Sequence, residues 1–291
     1  MTMPQADAAP LQQAPILVVT RFSFLGSSGW KSDASRDPEL LFTRDRLELR
    51  LRLFRAVTLP SLAAQTDPGF HHLVLTSDRL PDWALAALTE ACLQAYGDAA
   101  RFSILASRPT LARNPLRTFM EQRFPGQVVV QVVLDDDDGL ASDYMSDLRH
   151  QLAALEADKP GLGEESPYFI SYPLGYGLVL RGDPSGGGAA GLYLHRYPFI
   201  NAGLVLIGAG SGKNILGIDH RAAPRRFGAK VVPGKPMFLR SLHDFNDSRV
   251  VPGERWSQVA DWEAEPGLRS RFSCLFAEDA PWGRPGMEDQ I

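Results

Sequence analysis

Two cysteines in 291 residues, Cys92 and Cys274, are too few and too far apart for a disulfide framework or a thiolate metal site. They suit a reducing compartment. No apolar run approaches the roughly twenty residues that a membrane-spanning helix needs. An excess of positive charge is also missing: the formal net charge is −4, which removes the electrostatic case for nucleic acid as the main partner. Residues 1–14 are polar and rich in Pro and Ala, without the basic start or apolar segment of a secretory signal, and are expected to form a disordered leader. Internal repeats and long linkers are absent as well. What remains is the expectation of a soluble, cytoplasmic protein with ample apolar residues for a core. Residues 15–291 read as one domain with two unequal halves, 15–140 and 141–291.

What the sequence does have is concentrated between Val128 and Gly139, VVVQVVLDDDDG. A β-branched run bounded by Pro125-Gly126 and Gly139 fits a buried central strand of a parallel sheet. Four aspartates, Asp135 to Asp138, follow at its carboxyl end, where ligands bind in open α/β sheets. Adjacent carboxylates repel one another unless a cation holds them, and a divalent metal is the simplest remedy. If the extended geometry persists, the two-residue period sends Asp135 and Asp137 to one face and makes them the metal pair.

Strands alternate with helices through the first half. Ile16–Thr20, Phe70–Leu75 and Arg101–Leu105 read as strands, and Pro81–Tyr96 and Leu111–Arg123 as helices. Another helix starts after Thr43 and is kinked or split by Pro60. This alternation is the pattern of a doubly wound parallel sheet. After a helix over Ser142–Leu155 the texture changes to antiparallel strands around Tyr168–Leu174, Gly177–Arg181, Gly191–His195 and Ala202–Ile207, with a Gly-rich loop at 183–188. From Pro224 onward, extended segments and short helices are expected to wrap over the sheet.

Several polar residues stand where chemistry is done. Arg21 ends the first strand and could reach a diphosphate, and Asp78 ends the second, in the position of a ribose or base acceptor. Arg113 and Asn114 begin a helix and offer groups for a phosphate, sugar or base edge. Two motifs are decoys. Gly208-Ala-Gly-Ser-Gly-Lys213-Asn214 fails as a phosphate loop, because Ile207 stands where Gly is needed and Asn214 where Ser or Thr is needed. The basic cluster Arg221, Arg225, Arg226 and Lys230 reads as a solvated loop.

The tripeptide Ala112-Arg113-Asn114, followed by an apolar strand ending in Asp-x-Asp-Asp, resembles the nucleotide-sugar half of GT-A glycosyltransferases. More narrowly, RFS at 21–23, TLPSLAAQTD at 58–67, LVLTSD at 73–78, LDDDD, INAGL at 200–204 and PMFLRSLHDFNDS at 236–248 together resemble the bacterial "putative rhamnosyltransferase" family. The interval from Arg113 to Asp135 is a few residues longer than in typical GT-A members. The resemblance implies a GT-A-like α/β fold, a mixed sheet with helices on both faces. It further implies transfer of a sugar, rhamnose by the family's name, from a nucleoside-diphosphate sugar to a saccharide, glycolipid or other hydroxyl acceptor.

Under that resemblance Arg21, Asp78, Arg113, Asn114 and Asp135 bind the donor. Asp135, Asp137 and His243 hold the cation, Mn²⁺ or Mg²⁺, with imidazole favouring Mn²⁺. The general base stays unassigned among Asp219, Asp244 and Asp247. No transmembrane segment is expected, and peripheral contact with a membrane carrying the acceptor stays open. Two other readings remain at this point: a metal-dependent phosphohydrolase, which also uses clustered aspartates, and a non-catalytic carbohydrate-binding protein on the same fold.

Overall fold

A computed structural model describes residues 10–27, 37–181, 189–243, 253, 256–278, 280 and 282. The strands are β1 (Ile16–Arg21), β2 (Gly26–Ser27), β3 (Phe70–Ser77), β4 (Phe102–Ser107), β5 (Thr110–Leu111), β6 (Val128–Val133) and β7 (Gly139–Leu140). They continue with β8 (Tyr168–Ser171), β9 (Leu174–Arg181), β10 (Ala189–Arg196), β11 (Leu204–Ala209), β12 (Gly228–Val231), β13 (Phe238–Leu242) and β14 (Ser257–Val259). The α-helices are α1 (Pro38–Leu41), α2 (Arg44–Leu53), α3 (Leu59–Ala63), α4 (Asp82–Tyr96), α5 (Arg113–Arg123), α6 (Tyr144–Asp158), α7 (Ala223–Arg226) and α8 (Leu268–Arg271).

The main sheet has the order β12-β8-β11-β6-β1-β3-β4. Strands β6, β1, β3 and β4 are parallel, as the alternation of strands and helices predicts, and β11 runs antiparallel to β6 and β8. Because successive side chains leave a strand on opposite faces, each buried strand feeds two cores. Ile16, Val18, Val74, Val130, Val132 and Val205 point to a core closed by α2, α4 and α6. Leu17, Val19, Leu73, Leu75, Val129 and Leu206 point to one closed by α5. Helices therefore lie on both faces. A five-stranded sheet, β14-β10-β9-β13-β7, contributes Tyr176, Leu178, Leu192 and Leu239 to the first core.

Four expectations need adjustment. Residues 10–14 of the expected leader are fixed: Leu11 and Ala14 are buried, and Arg149 on α6 donates to the Gln12 and Ala14 carbonyls at 2.7 Å each. The helix after Thr43 does break ahead of Pro60, but through a π-helical turn at Phe54–Thr58. The late segment is more integrated than a wrap, since β12 pairs in parallel with β8, and β13 lies inside the second sheet. Finally, β6 ends at Val133, and the aspartates form a turn in which Asp138 N–H donates to the Asp135 carbonyl at 3.2 Å. The extended geometry that would have put Asp135 and Asp137 on one face does not last. The Gly-rich loop at 183–188 lies outside the described residues.

Candidate functional site

Three parallel strands deliver polar residues to one edge. In the order β6-β1-β3, Asp135, Arg21 and Asp78 stand at or beyond the carboxyl ends. The register puts Asp135, two residues past Val133, level with Arg21, and Asp78 three residues past Leu75, the partner of Arg21. Asp78 is exposed, and its N–H extends the β3–β4 pairing to the Ser107 carbonyl at 2.9 Å. Arg21 is buried and its Nη2 donates to Asp135 Oδ1 at 2.6 Å. The Asp135 side chain keeps 22% of its surface exposed, which leaves it within reach of a ligand.

The turn itself is anchored from α2. Arg50 donates from Nε to Asp136 at 3.1 Å and from Nη1 to Asp137 at 2.9 Å, and its Nη2 makes a second bond to Asp136. Asp136 is fully buried. The guanidinium therefore supplies positive charge that the sequence had assigned to a metal. Burial pushes the Asp136 carboxyl up to about 7 against the pull of Arg50, with the charges of Asp137 and Asp135 adding to the rise. Burial also raises Asp137, but Arg50, His243 and Arg240 together outweigh it and hold that carboxyl below the ordinary range. Burial and the neighbouring Asp137 and Asp135 drive Asp138 well above its ordinary value. Backbone bonds finish the turn: Ser241 N–H donates to Asp138 Oδ1 at 3.0 Å, and Thr58 Oγ1 donates to the Asp138 carbonyl at 2.8 Å.

His243, immediately after β13, meets Asp137 at 3.0 Å between Nε2 and Oδ2. Two of the three expected metal ligands are thus adjacent, while Asp135 is paired with Arg21. Among the described residues no three His, Cys, Asp or Glu side chains converge as a ready-made metal cage. Arg113 and Asn114 are exposed at the start of α5, where Asn114 Nδ2 donates to Thr110 Oγ1 at 3.2 Å and Asn214 Nδ2 donates to the Arg113 carbonyl at 2.7 Å. Asp219 is exposed and its Oδ1 accepts the Arg221 N–H at 2.9 Å. Asp244 and Asp247 lie outside the described residues. The decoy loop behaves as a turn: Gly212 N–H closes on the Ala209 carbonyl at 2.9 Å, and Lys213 sits over the Phe227 ring at 5.2 Å.

Arg50 and Arg46 escaped the sequence reading. They are four residues apart and hence on one helix face, next to the core positions Leu47 and Leu51. An arginine pair flanking the buried stripe of a helix is the signal that could have found them. His220 was also missed: its Nδ1 lies 2.6 Å from the carbonyl of Phe199, a non-glycine residue held at φ 60°.

A family model described as "Putative rhamnosyl transferase" matches residues 15–255. No curated protein sequence matches the chain. Among solved structures, a "putative nucleotide-diphospho-sugar transferase" from Desulfovibrio desulfuricans G20 is similar at 13% identity and TM-score 0.39, over 93% of this chain and 96% of that one. HddC from Yersinia pseudotuberculosis is similar at 10% identity and TM-score 0.39, over 77% of this chain and 92% of that one. TarS from S. aureus is similar at 12% identity and TM-score 0.37, over 78% of this chain, which spans 37% of the TarS chain.

Proposed function

The chain belongs to the family described as "Putative rhamnosyl transferase", and from that premise we propose that it moves a sugar, rhamnose by the family's description, from a nucleoside-diphosphate sugar to a saccharide or glycolipid hydroxyl. Family membership makes it a glycosyltransferase. The observation that carries the finer reading is the contact of His243 with Asp137 in the aspartate turn after β6, with Asp135 and Asp137 each paired to an arginine. A site held rigid by buried ion pairs positions a diphosphate without reorganising at the moment of reaction.

Asp78, after β3, and Arg113 and Asn114, at the start of α5, are exposed, and we assign them the ribose, base and phosphate roles. Arg21 acts from below by fixing the Asp135 carboxylate. A divalent cation would be held by Asp137 and His243, in place of the 3.0 Å hydrogen bond that now joins Oδ2 and Nε2. Mg²⁺ typically takes one or two protein ligands and fills its remaining positions with substrate phosphates and water, so a three-residue cage is unnecessary. When bound, the cation would neutralise charge developing on the departing diphosphate. The phosphohydrolase and pure binding readings stand second because family membership already makes the chain a glycosyltransferase.

The described residues include no helix long and apolar enough to cross a membrane. Two buried, unpaired thiols favour a reducing, cytoplasmic setting.

The test is calorimetric titration of dTDP, UDP and GDP, each with and without Mn²⁺, on the natural chain and on Asp137→Asn. One nucleotide should bind with Mn²⁺ and at least tenfold more weakly without it, a difference of about 1.4 kcal/mol. Asp137→Asn should abolish the Mn²⁺ enhancement. Binding of no nucleotide under any condition sinks the donor assignment, and an undiminished enhancement in Asp137→Asn sinks the ligand assignment.

A further inference from the structure

One face of the five-stranded sheet carries a set of rings that the donor site does not use. Pairing places Phe238, Gly175 and His195 in one row across β13, β9 and β10, and Arg240, Gly177 and Tyr193 in the next row. Residues two apart on a strand share a face, so all six belong to the same surface. The middle strand contributes only glycines to these rows. A Cβ on Gly177 would lie 2.2 Å from Cζ3 of Trp256, and one on Gly175 would lie 2.4 Å from the Phe238 ring. The missing side chains thus open a trough, and the Trp256 indole occupies it.

Trp256 stacks on the His195 imidazole, with ring centroids 3.9 Å apart and planes 22° from parallel. Tyr193 meets the indole edge-on at 6.2 Å, and Tyr197 stacks on the same imidazole at 5.9 Å. A satellite core would explain such a cluster if it were sealed and apolar, but it is neither. Trp256 and Tyr193 are half-buried and Tyr197 is exposed. His195 is only 5% exposed, yet its Nδ1 has no hydrogen-bond partner among the described residues. A buried polar atom without a protein partner is met in native proteins by an ordered water, an ion or a ligand.

Strand β13 leads from the trough to the donor edge. Arg240 shares a row with Gly177, and its charge acts on His195 at one side and on Asp137 and Asp138 at the other. Three residues farther along the chain, His243 touches Asp137. Strand geometry puts Gly177 roughly 11 Å from His243, one strand across and three residues along. Flat aromatic rings beside polar groups fit a ligand with an apolar face and a hydroxyl rim. A pyranose ring has that character.

We propose that this aromatic face, with Trp256 at its centre and His195, Tyr193 and Tyr197 around it, is the subsite that holds a sugar ring of the acceptor saccharide next to the donor. The proposal rests on the transferase reading and names the acceptor's class. A nucleobase could also stack on an indole, but the exposed groups assigned to the nucleotide, Asp78 after β3 and Arg113 and Asn114 at the start of α5, lie outside this sheet, so the base is assigned there.

Saturation-transfer NMR with methyl α-L-rhamnopyranoside, methyl β-D-glucopyranoside and methyl α-D-mannopyranoside tests the subsite, alongside calorimetry with dTDP, UDP and GDP in the presence of Mn²⁺. At least one glycoside should bind the natural chain. Its affinity should fall about tenfold or more in Trp256→Ala, the equivalent of one lost stacking contact of about 1.4 kcal/mol. It should stay within about threefold in Trp256→Phe, with nucleotide affinity unchanged in both. Tyr197→Ala, at the exposed rim, serves as a second variant and should weaken glycoside binding alone. Absence of binding by all three glycosides overturns the proposal. So does binding that survives both alanine variants, or a loss that falls on the nucleotide instead. Glycoside binding lost with Trp256 in a chain that binds no nucleotide would leave the subsite standing and remove the transferase reading.

Discussion

Arg50 decides how four aspartates can share one turn. A fully buried carboxylate such as Asp136 is costly unless a charge meets it with good geometry, and the forked guanidinium reaches Asp136 and Asp137 together. Lysine carries the same charge but not the fork, so it cannot replace both contacts. Arg50→Ala should therefore destabilise the protein by about 3–5 kcal/mol, the range for stranding one member of a buried pair, and Arg50→Lys should recover less than half of that loss. Urea unfolding followed by fluorescence measures both. A loss below about 1 kcal/mol for Arg50→Ala would place the pair among weak surface bridges and remove its structural role. The aspartate run was legible in the sequence as a site, because an apolar strand led into it. Its counter-charges were not, because Arg46 and Arg50 come from a helix more than eighty residues earlier and only the packing of α2 brings them in.

At the scale of an element, β3 shows why strands were easier to read than their polar seams. Its apolar residues gave its position directly, and the structure extends it only from Leu75 to Ser77. Nothing in the pattern showed that His72 would be fully buried between β1 and α4, bonded at 2.9 Å to Thr20 Oγ1 and at 2.8 Å to Tyr96 Oη. Burial, followed by the charge of neighbouring His71, lowers the His72 pKa from 6.5 to about 3. The unfolded chain then binds a proton that the folded chain refuses between those values. The stabilising contribution of a neutral His72 is therefore intact above pH 6.5 and is lost progressively as pH falls toward 3. The raised carboxyl of Asp136 acts in the opposite sense, adding stability as pH falls from about 7 toward its unfolded value near 4. Global unfolding curves would blend the two, so the ring itself is the better probe. Nitrogen-detected NMR of the imidazoles should show His72 neutral at pH 4.5 while the folded signals persist. Protonation near pH 6 would contradict the buried seam.

For the whole molecule, the two halves legible as a change of texture, from alternating strands and helices to antiparallel runs, share their structural support. Strand β6 ends the first half, yet one of its two edges is covered by β11 through the register Leu204↔Val133 to Ala209↔Val128. The core that closes over its even-numbered residues takes Tyr144, Leu148 and Leu152 from α6. Gly203 binds the join more closely still. It adopts φ +78°, its N–H donates to the Val133 carbonyl at 2.9 Å, and its own carbonyl accepts the Tyr144 hydroxyl at 2.5 Å. A Cβ there would meet Leu140 at 2.9 Å, which explains the glycine of INAGL as a packing requirement. Chain texture reports local periodicity, so it separated regions that the fold unites through long-range pairing. Residues 1–143 expressed alone would expose the β6 edge and much of the α6 side of the core, and unpaired hydrophobic edges aggregate. The full chain should therefore unfold in a single calorimetric transition, with van't Hoff and calorimetric enthalpies in agreement. The 1–143 fragment should show no cooperative transition at all. Two resolved transitions in the full chain, or a fragment that melts cooperatively, would make the halves independent and leave the donor edge a structure that the first half builds by itself.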